Sequence, residues 1–148
     1  MKILLAVDDS KFSEAAVHAV LAQARPQETE VRVLHVLEPP SLLLGREMGG
    51  YDQEFEAVWR ALQEQAKALV EKTTGKLRTA GFSVTPLLEE GDPKSKIIDV
   101  ANEWKADLIV LGSHGRKGMQ RFLMGSVADS VARHANCSVE IVRLPSAR

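Results

Sequence analysis

The chain has 148 residues, of which 45% are hydrophobic and 26% charged, a balance typical of one globular domain with a full-sized core. Its 19 basic and 20 acidic residues leave a net charge of -1, which argues against the broad basic field that sequence-independent nucleic-acid binding needs. The single cysteine, Cys137, excludes an internal disulfide and a zinc site built on two or more cysteines. We expect one domain over residues 1–148 that binds no nucleic acid.

The first predicted strand lies at residues 3–7, an apolar run that ends at Asp8 and Asp9. This run is too short for the core of a signal peptide or for a membrane span. We therefore interpret it as a buried strand of a cytoplasmic protein that does not enter a membrane. Ser10 is suited to cap a first helix, in which apolar residues recur at spacings of three and four over residues 12–20.

The second predicted strand, at residues 31–37, leads into a segment rich in proline and glycine. This segment, residues 38–50, contains Pro39 and Pro40 and is interpreted as a mobile loop. Beyond it, apolar residues recur at helical spacing over residues 55–70, and we expect the second helix there.

Three strands and two helices are predicted in the second half of the chain. The third strand, at 84–88, precedes a helix over 97–104, for which Asp92 and Pro93 supply an N-cap and a first-turn proline. The remaining strands lie at 108–111 and 139–142, and a helical pattern over 127–132 separates them.

The alternation of strands and helices predicts the fold class. Most of the apolar runs show no alternation with polar residues, which is typical of strands covered on both faces. Strands that alternate with helices favour a parallel sheet built from right-handed crossovers. We therefore predict a single doubly wound, Rossmann-like α/β domain with five parallel strands and helices on both faces.

Ligands of such sheets bind beyond the carboxyl ends of the strands, where the strand order reverses. The most informative stretch there is the loop after the fourth strand, with Gly112 and Gly115, followed by Gly125 and Ser126 at the start of the last helix. Glycines permit positive φ angles and close backbone approach, and a helix start offers free amides, so the combination suits a phosphate chain. The P-loop motif and the dinucleotide fingerprint are both absent, which disfavours a P-loop NTPase and a nicotinamide dehydrogenase.

Four segments together resemble the universal stress protein family, and the resemblance spans essentially the whole chain. They lie at residues 3–10, 33–36, 91–93 and 106–115. The most specific element is the pattern glycine, two residues, glycine, nine residues, glycine and serine, which in this family marks members that bind ATP. The resemblance implies an ATP-binding stress-response protein built on a sheet of strand order 3-2-1-4-5.

The resemblance also assigns roles at the site. It implies that Ala6 and Val7 line an adenine slot and that Asp8 contacts the ribose or the adenine edge. It implies that the backbone of Val36 hydrogen-bonds the base. The positions implied around the phosphates are Gly112, Ser113, Gly115, Arg116, Gly125, Ser126 and Val127. We expect Mg²⁺ to be held through the phosphates, because the glycine loop offers no carboxylate.

Other functions stay open at this point. The same pocket could serve a slow ATPase or phosphoryl-transfer enzyme, or a sensor of AMP or cyclic AMP, and a purely structural dimerisation domain is a further alternative. The sequence does not set His114 within a recognisable catalytic group, so we assign no catalytic residue and expect at most weak hydrolysis. His35 is interpreted as a buried histidine with its hydrogen bonds satisfied.

The last strand is the expected dimer contact. The resemblance implies a homodimer in which residues 138–143 pair with the same segment of a second chain. Glu140 interrupts this apolar strand, and a charge at a sheet edge disfavours edge pairing. Arg143 is suited to offset that charge across the dimer.

Overall fold

Five parallel strands in the order β3-β2-β1-β4-β5 form one sheet, in a computed structural model that describes residues 1–39, 53–115 and 124–144. The strands are β1 (Lys2–Ala6), β2 (Glu30–Leu37), β3 (Ser83–Glu90), β4 (Leu108–Gly112) and β5 (Ser138–Val142). The predicted fold class and strand order are thus confirmed. Most of the predicted loop at 38–50, from residue 40 onward, lies outside the described residues. Arg116 lies outside them as well.

Four α-helices connect the described strands. They are α1 (Lys11–Gln23), α2 (Gln53–Thr79), α3 (Pro93–Trp104) and α4 (Ser126–His134). All four predicted helices are present, and α2 runs well beyond the predicted end at residue 70. A 3-10 turn at Pro26–Glu28, which was not predicted, precedes β2. No helix in the described ranges combines the length and the apolar character needed to cross a bilayer.

Two hydrophobic layers cover the sheet, because successive side chains of a strand point to opposite faces. Ile3 and Leu5 of β1 pack with α1 and α2, whereas Leu4 packs on the other face with α3 and α4. All three side chains are at most 2% exposed. The sheet is therefore buried on both faces, as its uninterrupted apolar runs indicate.

β3 tolerates a proline because it lies at an edge of the sheet. Gly91, directly after β3, donates its amide to the carbonyl of Leu37 at 3.1 Å. Backbone groups alternate sides along a strand, so Thr85 and Leu87 also face β2, while Pro86 between them faces the open edge. The missing amide of Pro86 therefore removes no bond from the sheet.

Candidate functional site

A cleft of about 800 Å³ opens at the carboxyl ends of β1, β2 and β4, which is a volume typical of small-molecule sites. The strand order reverses between β1 and β4, so this is the position expected for a ligand of a doubly wound sheet. The predicted site residues that line the cleft are Ala6, Val7, Asp8, Val36, Gly112, Gly115, Gly125, Ser126 and Val127. Ser113 does not line it, and Arg116 lies outside the described residues.

The turn after β1 holds the carboxylate of Asp8 in one orientation. Its Oδ1 accepts a hydrogen bond from the amide of Ser10 at 2.9 Å, and its own amide donates to Oγ of Ser13 at 2.9 Å. Ser10 in turn caps α1 by accepting from the amide of Ser13 at 3.2 Å. As a result, the second oxygen, Oδ2, faces the loop after β4, where it approaches Gly115.

The three motif glycines are needed for close packing, and the partners they approach are parts of the protein. A Cβ on Gly112 would lie 2.8 Å from backbone atoms of Phe12, and one on Gly125 would lie 2.8 Å from the carbonyl oxygen of Ser113. The positive φ angles among the described glycines occur at Gly81 and Gly91, outside the motif. Close approach, and not positive φ, is therefore what requires glycine in this motif.

Ser113 is a buried residue that connects the loop after β4 to neighbouring backbone. It is 4% exposed, its amide donates to the carbonyl of Val142 at 2.8 Å, and its carbonyl accepts from the amide of Gly125 at 2.8 Å. Its hydroxyl is 3.1 Å from Nδ1 of His114, whose ring lies 5.0 Å from that of Phe12 and lines the cleft. These contacts fix both ends of the loop against the body of the domain.

The N-terminus of α4 differs from those of α1 and α3. Side chains cap those two helices, since Ser10 accepts from Ser13 in α1 and Asp92 accepts from Ser95 in α3. At α4 the N-cap is Gly125, which has no side-chain oxygen to offer. Gly125 therefore gives the first-turn amides of α4 no side-chain cap, and no other described side chain is recorded as capping them. Ser126 and Val127, in this first turn, line the cleft.

The sequence interpretation missed the wall contributed by the start of α3. Asp92, Pro93 and Lys94 line the cleft, although the predicted site used the ends of β1, β2 and β4 and the start of α4, and no part of α3. Lys94 is half-buried and lies in the first helical turn, where the helix dipole disfavours a cation. A lysine at that position is the signal that could have pointed to this wall.

The described residues do not form a preassembled metal centre. No group of three or more histidine, cysteine, aspartate or glutamate side chains is placed to hold an ion within the described ranges. Asp8, Glu38 and Asp92 each line the cleft without forming such a group. A metal ion in this cleft would therefore need oxygen ligands from a bound molecule, and phosphate oxygens are suitable.

A protein-family model described as the universal stress protein family matches residues 1–143. This chain belongs to the universal stress protein family. Universal stress protein MJ0531 of Methanocaldococcus jannaschii is 33% identical over 145 residues, which cover 97% of this chain and 82% of the relative.

Solved structures of universal stress proteins have the same fold. Protein MJ0577 of M. jannaschii, whose biochemical function was assigned from its structure, matches with a TM-score of 0.83 at 29% identity, over 99% of this chain and 97% of the other. A universal stress protein in complex with cAMP matches with a TM-score of 0.66 at 21% identity, over 97% and 96%. An Arabidopsis thaliana member with AMP bound matches with a TM-score of 0.67 at 18% identity, over 99% of this chain and 93% of the other. At those two lower identities the likeness shows the fold alone.

Proposed function

We propose that this universal stress protein binds an adenine nucleotide, ATP with Mg²⁺, in the cleft at the carboxyl ends of β1, β2 and β4. The base would lie toward β1 and β2, beside Val7 and Val36. The phosphates would lie between Gly115 and the first turn of α4. In this arrangement the protein acts as a nucleotide-dependent regulatory domain, and at most as a slow ATPase.

The observation that carries the proposal is the uncapped start of α4 beside the glycine loop. The amides of the first turn receive no side-chain cap from Gly125, and Ser126 and Val127 of this turn line the same cleft as Asp8. Free amides and the positive end of a helix dipole favour an anionic group such as phosphate. Ser126, the first residue of α4, adds a hydroxyl that can donate to the same group.

Mg²⁺ fits this arrangement when it is bound to the phosphates. The described side chains form no preassembled group for the ion, so the phosphate oxygens would hold it, with water in its remaining positions. Asp8, whose Oδ2 approaches Gly115, would contact the ribose or the adenine edge. The ion would neutralise part of the phosphate charge, while the protein supplies the amides of α4.

Related proteins support an adenine ligand but leave the number of phosphates open. One solved universal stress protein is in complex with cAMP and another has AMP bound. ATP is favoured here because the chain carries both the glycine loop and the glycine-serine helix start. A nucleotide with one phosphate has less need of both groups.

Calorimetric titration tests the proposal after any co-purified nucleotide has been removed and identified by mass spectrometry. ATP, AMP and cyclic AMP are titrated with and without Mg²⁺, and the ATP samples are analysed afterwards for ADP. We expect ATP with Mg²⁺ to bind more tightly than either monophosphate and to be recovered largely intact. Absence of binding would refute the site, tighter binding of AMP or cyclic AMP would change its ligand, and rapid formation of ADP would make the protein an enzyme.

Three further parts of the proposal rest on the family. We propose that the protein acts in the stress response, that it is cytoplasmic, and that residues 1–148 work as one domain. We also propose a homodimer through the edge strand β5, in which residues 138–143 of two chains pair. β5 lies at the edge of the sheet, and all its residues except Ser138 are half-buried, which leaves part of an apolar edge available for pairing.

A further inference from the structure

His35 is a buried polar residue within an otherwise apolar part of β2. It is 9% exposed, it lines the cleft, and its Nδ1 lies 2.7 Å from the carbonyl oxygen of Val7. Because a carbonyl oxygen only accepts hydrogen bonds, Nδ1 must carry the proton and donate. The prediction of a buried, hydrogen-bonded histidine is confirmed, and the partner is the residue directly before Asp8.

The bond from His35 lies at the point where β1 and β2 separate. The paired register of these strands ends at Ala6 and Leu34, and one further bond joins the amide of Val7 to the carbonyl of Leu34 at 2.8 Å. Leu34 therefore directs its backbone groups toward β1. Because these groups alternate sides along a strand, Val36 directs its amide and carbonyl toward β1 as well.

One more regular bond would extend this ladder, from the amide of Val36 to the carbonyl of Val7. No backbone bond among the described residues joins those two groups, and the hydrogen bond that the Val7 carbonyl accepts comes from the ring of His35. A carbonyl oxygen can accept two bonds, so the His35 ring competes with the Val36 amide for space and direction at this oxygen and does not exhaust it. Val36 lines the cleft and lies beyond the last residue pair of the β1–β2 register.

We propose that His35 is a positioning residue for the nucleotide base. By donating its Nδ1 proton to the Val7 carbonyl, it ends the β1–β2 ladder one bond early. The backbone of Val36 then stays available to hydrogen-bond the edge of a base. The same bond fixes Val7, and therefore the start of the turn that orients Asp8. This role rests on the proposed nucleotide site, in which the base lies beside Val36.

Three variants separate this role from simple packing. H35N places its side-chain amide nitrogen at the position of Nδ1 and so keeps a donor for the Val7 carbonyl. H35L has similar bulk but no donor, and H35Q carries its donor one bond farther from the backbone. H35Q also serves as the test variant if H35L does not fold.

The readouts are ATP affinity by calorimetry and amide exchange at Val36 by NMR. We expect H35N to bind within about threefold of the wild type, and H35L and H35Q to bind about tenfold more weakly, as expected for the loss of roughly one hydrogen bond to the ligand. Without nucleotide, the Val36 amide should exchange rapidly in the wild type and in H35N. It should be protected in H35L, where it is free to bond to Val7.

The inference would be overturned if H35L and H35Q bound ATP as tightly as the wild type. Equal protection of the Val36 amide in nucleotide-free wild type and H35L would overturn it as well. Failure of the wild type to bind any adenine nucleotide would refute the proposed function instead. The exchange comparison would then still decide whether His35 ends the ladder.

Discussion

The carboxylate of Asp8 lies against Gly115, so that its Oδ2 is 2.9 Å from the position that a Cβ on Gly115 would occupy. This approach joins the turn after β1 to the loop after β4 across the point where the strand order reverses. The other oxygen of Asp8 is held by the amide of Ser10, so the carboxylate has little freedom to turn. Of the three motif glycines, Gly115 is therefore the one that approaches a carboxylate lining the cleft.

The first prediction concerns Gly115→Ala. The added methyl group would displace the end of the Asp8 side chain but would meet no backbone atom, so we expect the free energy of unfolding to change by less than about 1 kcal/mol. Affinity for ATP with Mg²⁺ should fall about tenfold, or about 1.4 kcal/mol, because the carboxylate and the space for the phosphates both change. Calorimetry and urea denaturation provide the two measurements.

Gly75→Ala is the matched control for this substitution. Gly75 lies within α2 and is exposed, and a methyl group added there would meet no atom within 4 Å. Alanine is a better helix former than glycine, so this variant should gain about 0.5–1 kcal/mol in unfolding free energy and bind ATP like the wild type. Unchanged ATP binding in a folded Gly115→Ala variant would contradict the assignment of the phosphate side.

The second prediction is that Gly125→Ala and Gly112→Ala act mainly on stability. Their methyl groups would meet the Ser113 carbonyl and the backbone of Phe12 at 2.8 Å, and backbone atoms yield less readily than a side-chain end. We expect each variant to lose about 1–3 kcal/mol of unfolding free energy, as is typical of overpacked sites. Urea denaturation at one temperature is sufficient to measure this. Wild-type stability in either variant would mean that the close packing is not needed.

The third prediction concerns the reactivity of Cys137. Burial, followed by the negative charge of Asp107, raises the pKa of the thiol, while a backbone hydrogen bond to Ile109 acts in the opposite direction. Alkylation by iodoacetamide should therefore be slower at pH 8 than for a free cysteine, because less thiolate is present. Asp107→Asn removes the charge, lowers the pKa, and should increase the rate about threefold. At pH values above the Cys137 pKa of both the wild type and Asp107→Asn, the two proteins should be alkylated at the same rate. Equal rates already at pH 8 would count against the role of Asp107.

The fourth prediction tests the proposed dimer. Glu140 is half-buried in the edge strand β5, directly opposite Val110 in the register with β4. A charge within an edge strand disfavours pairing with another chain, so Glu140→Val should lower the dimer dissociation constant about tenfold or more. Glu140→Gln, which removes the charge without adding apolar surface, should have a smaller effect. Sedimentation equilibrium measures the dimer dissociation constant of the wild type and of the two Glu140 variants. If all three proteins are monomers throughout the accessible concentration range, this dimer is ruled out.

Much of the fold could be predicted from the sequence because the sheet is buried on both faces. Uninterrupted apolar runs such as residues 3–7 mark the strands, and Ser10 and Asp92 mark two helix starts by capping chemistry that is local in sequence. The end of β3 was harder to predict, because Glu89 and Glu90 are polar. Their pairing with Val36 and Leu37 of β2 extends the strand to that point.

The types of residue at the site could be predicted from the sequence, but the contacts that these residues make could not. A glycine motif indicates where backbones approach closely, yet sequence does not say whether the neighbour is a ligand or the protein itself. At Gly112 and Gly125 the neighbours are Phe12 and Ser113, which lie well away from those glycines along the chain. The bond between His35 and Val7 joins two strands in the same way, and only the three-dimensional structure reveals it.

Chemical-shift mapping of ¹⁵N-labelled, nucleotide-free protein with ATP and Mg²⁺ tests the nucleotide site most directly. We expect the largest shifts at the amides of Val36, Gly115 and Ser126–Val127, with smaller ones at Asp8, and little change along the carboxyl-terminal half of α2. Shifts of that pattern would place the base beside β2 and the phosphates at the start of α4. An unchanged spectrum at saturating ATP, or shifts confined to residues outside the cleft, would contradict the proposed site.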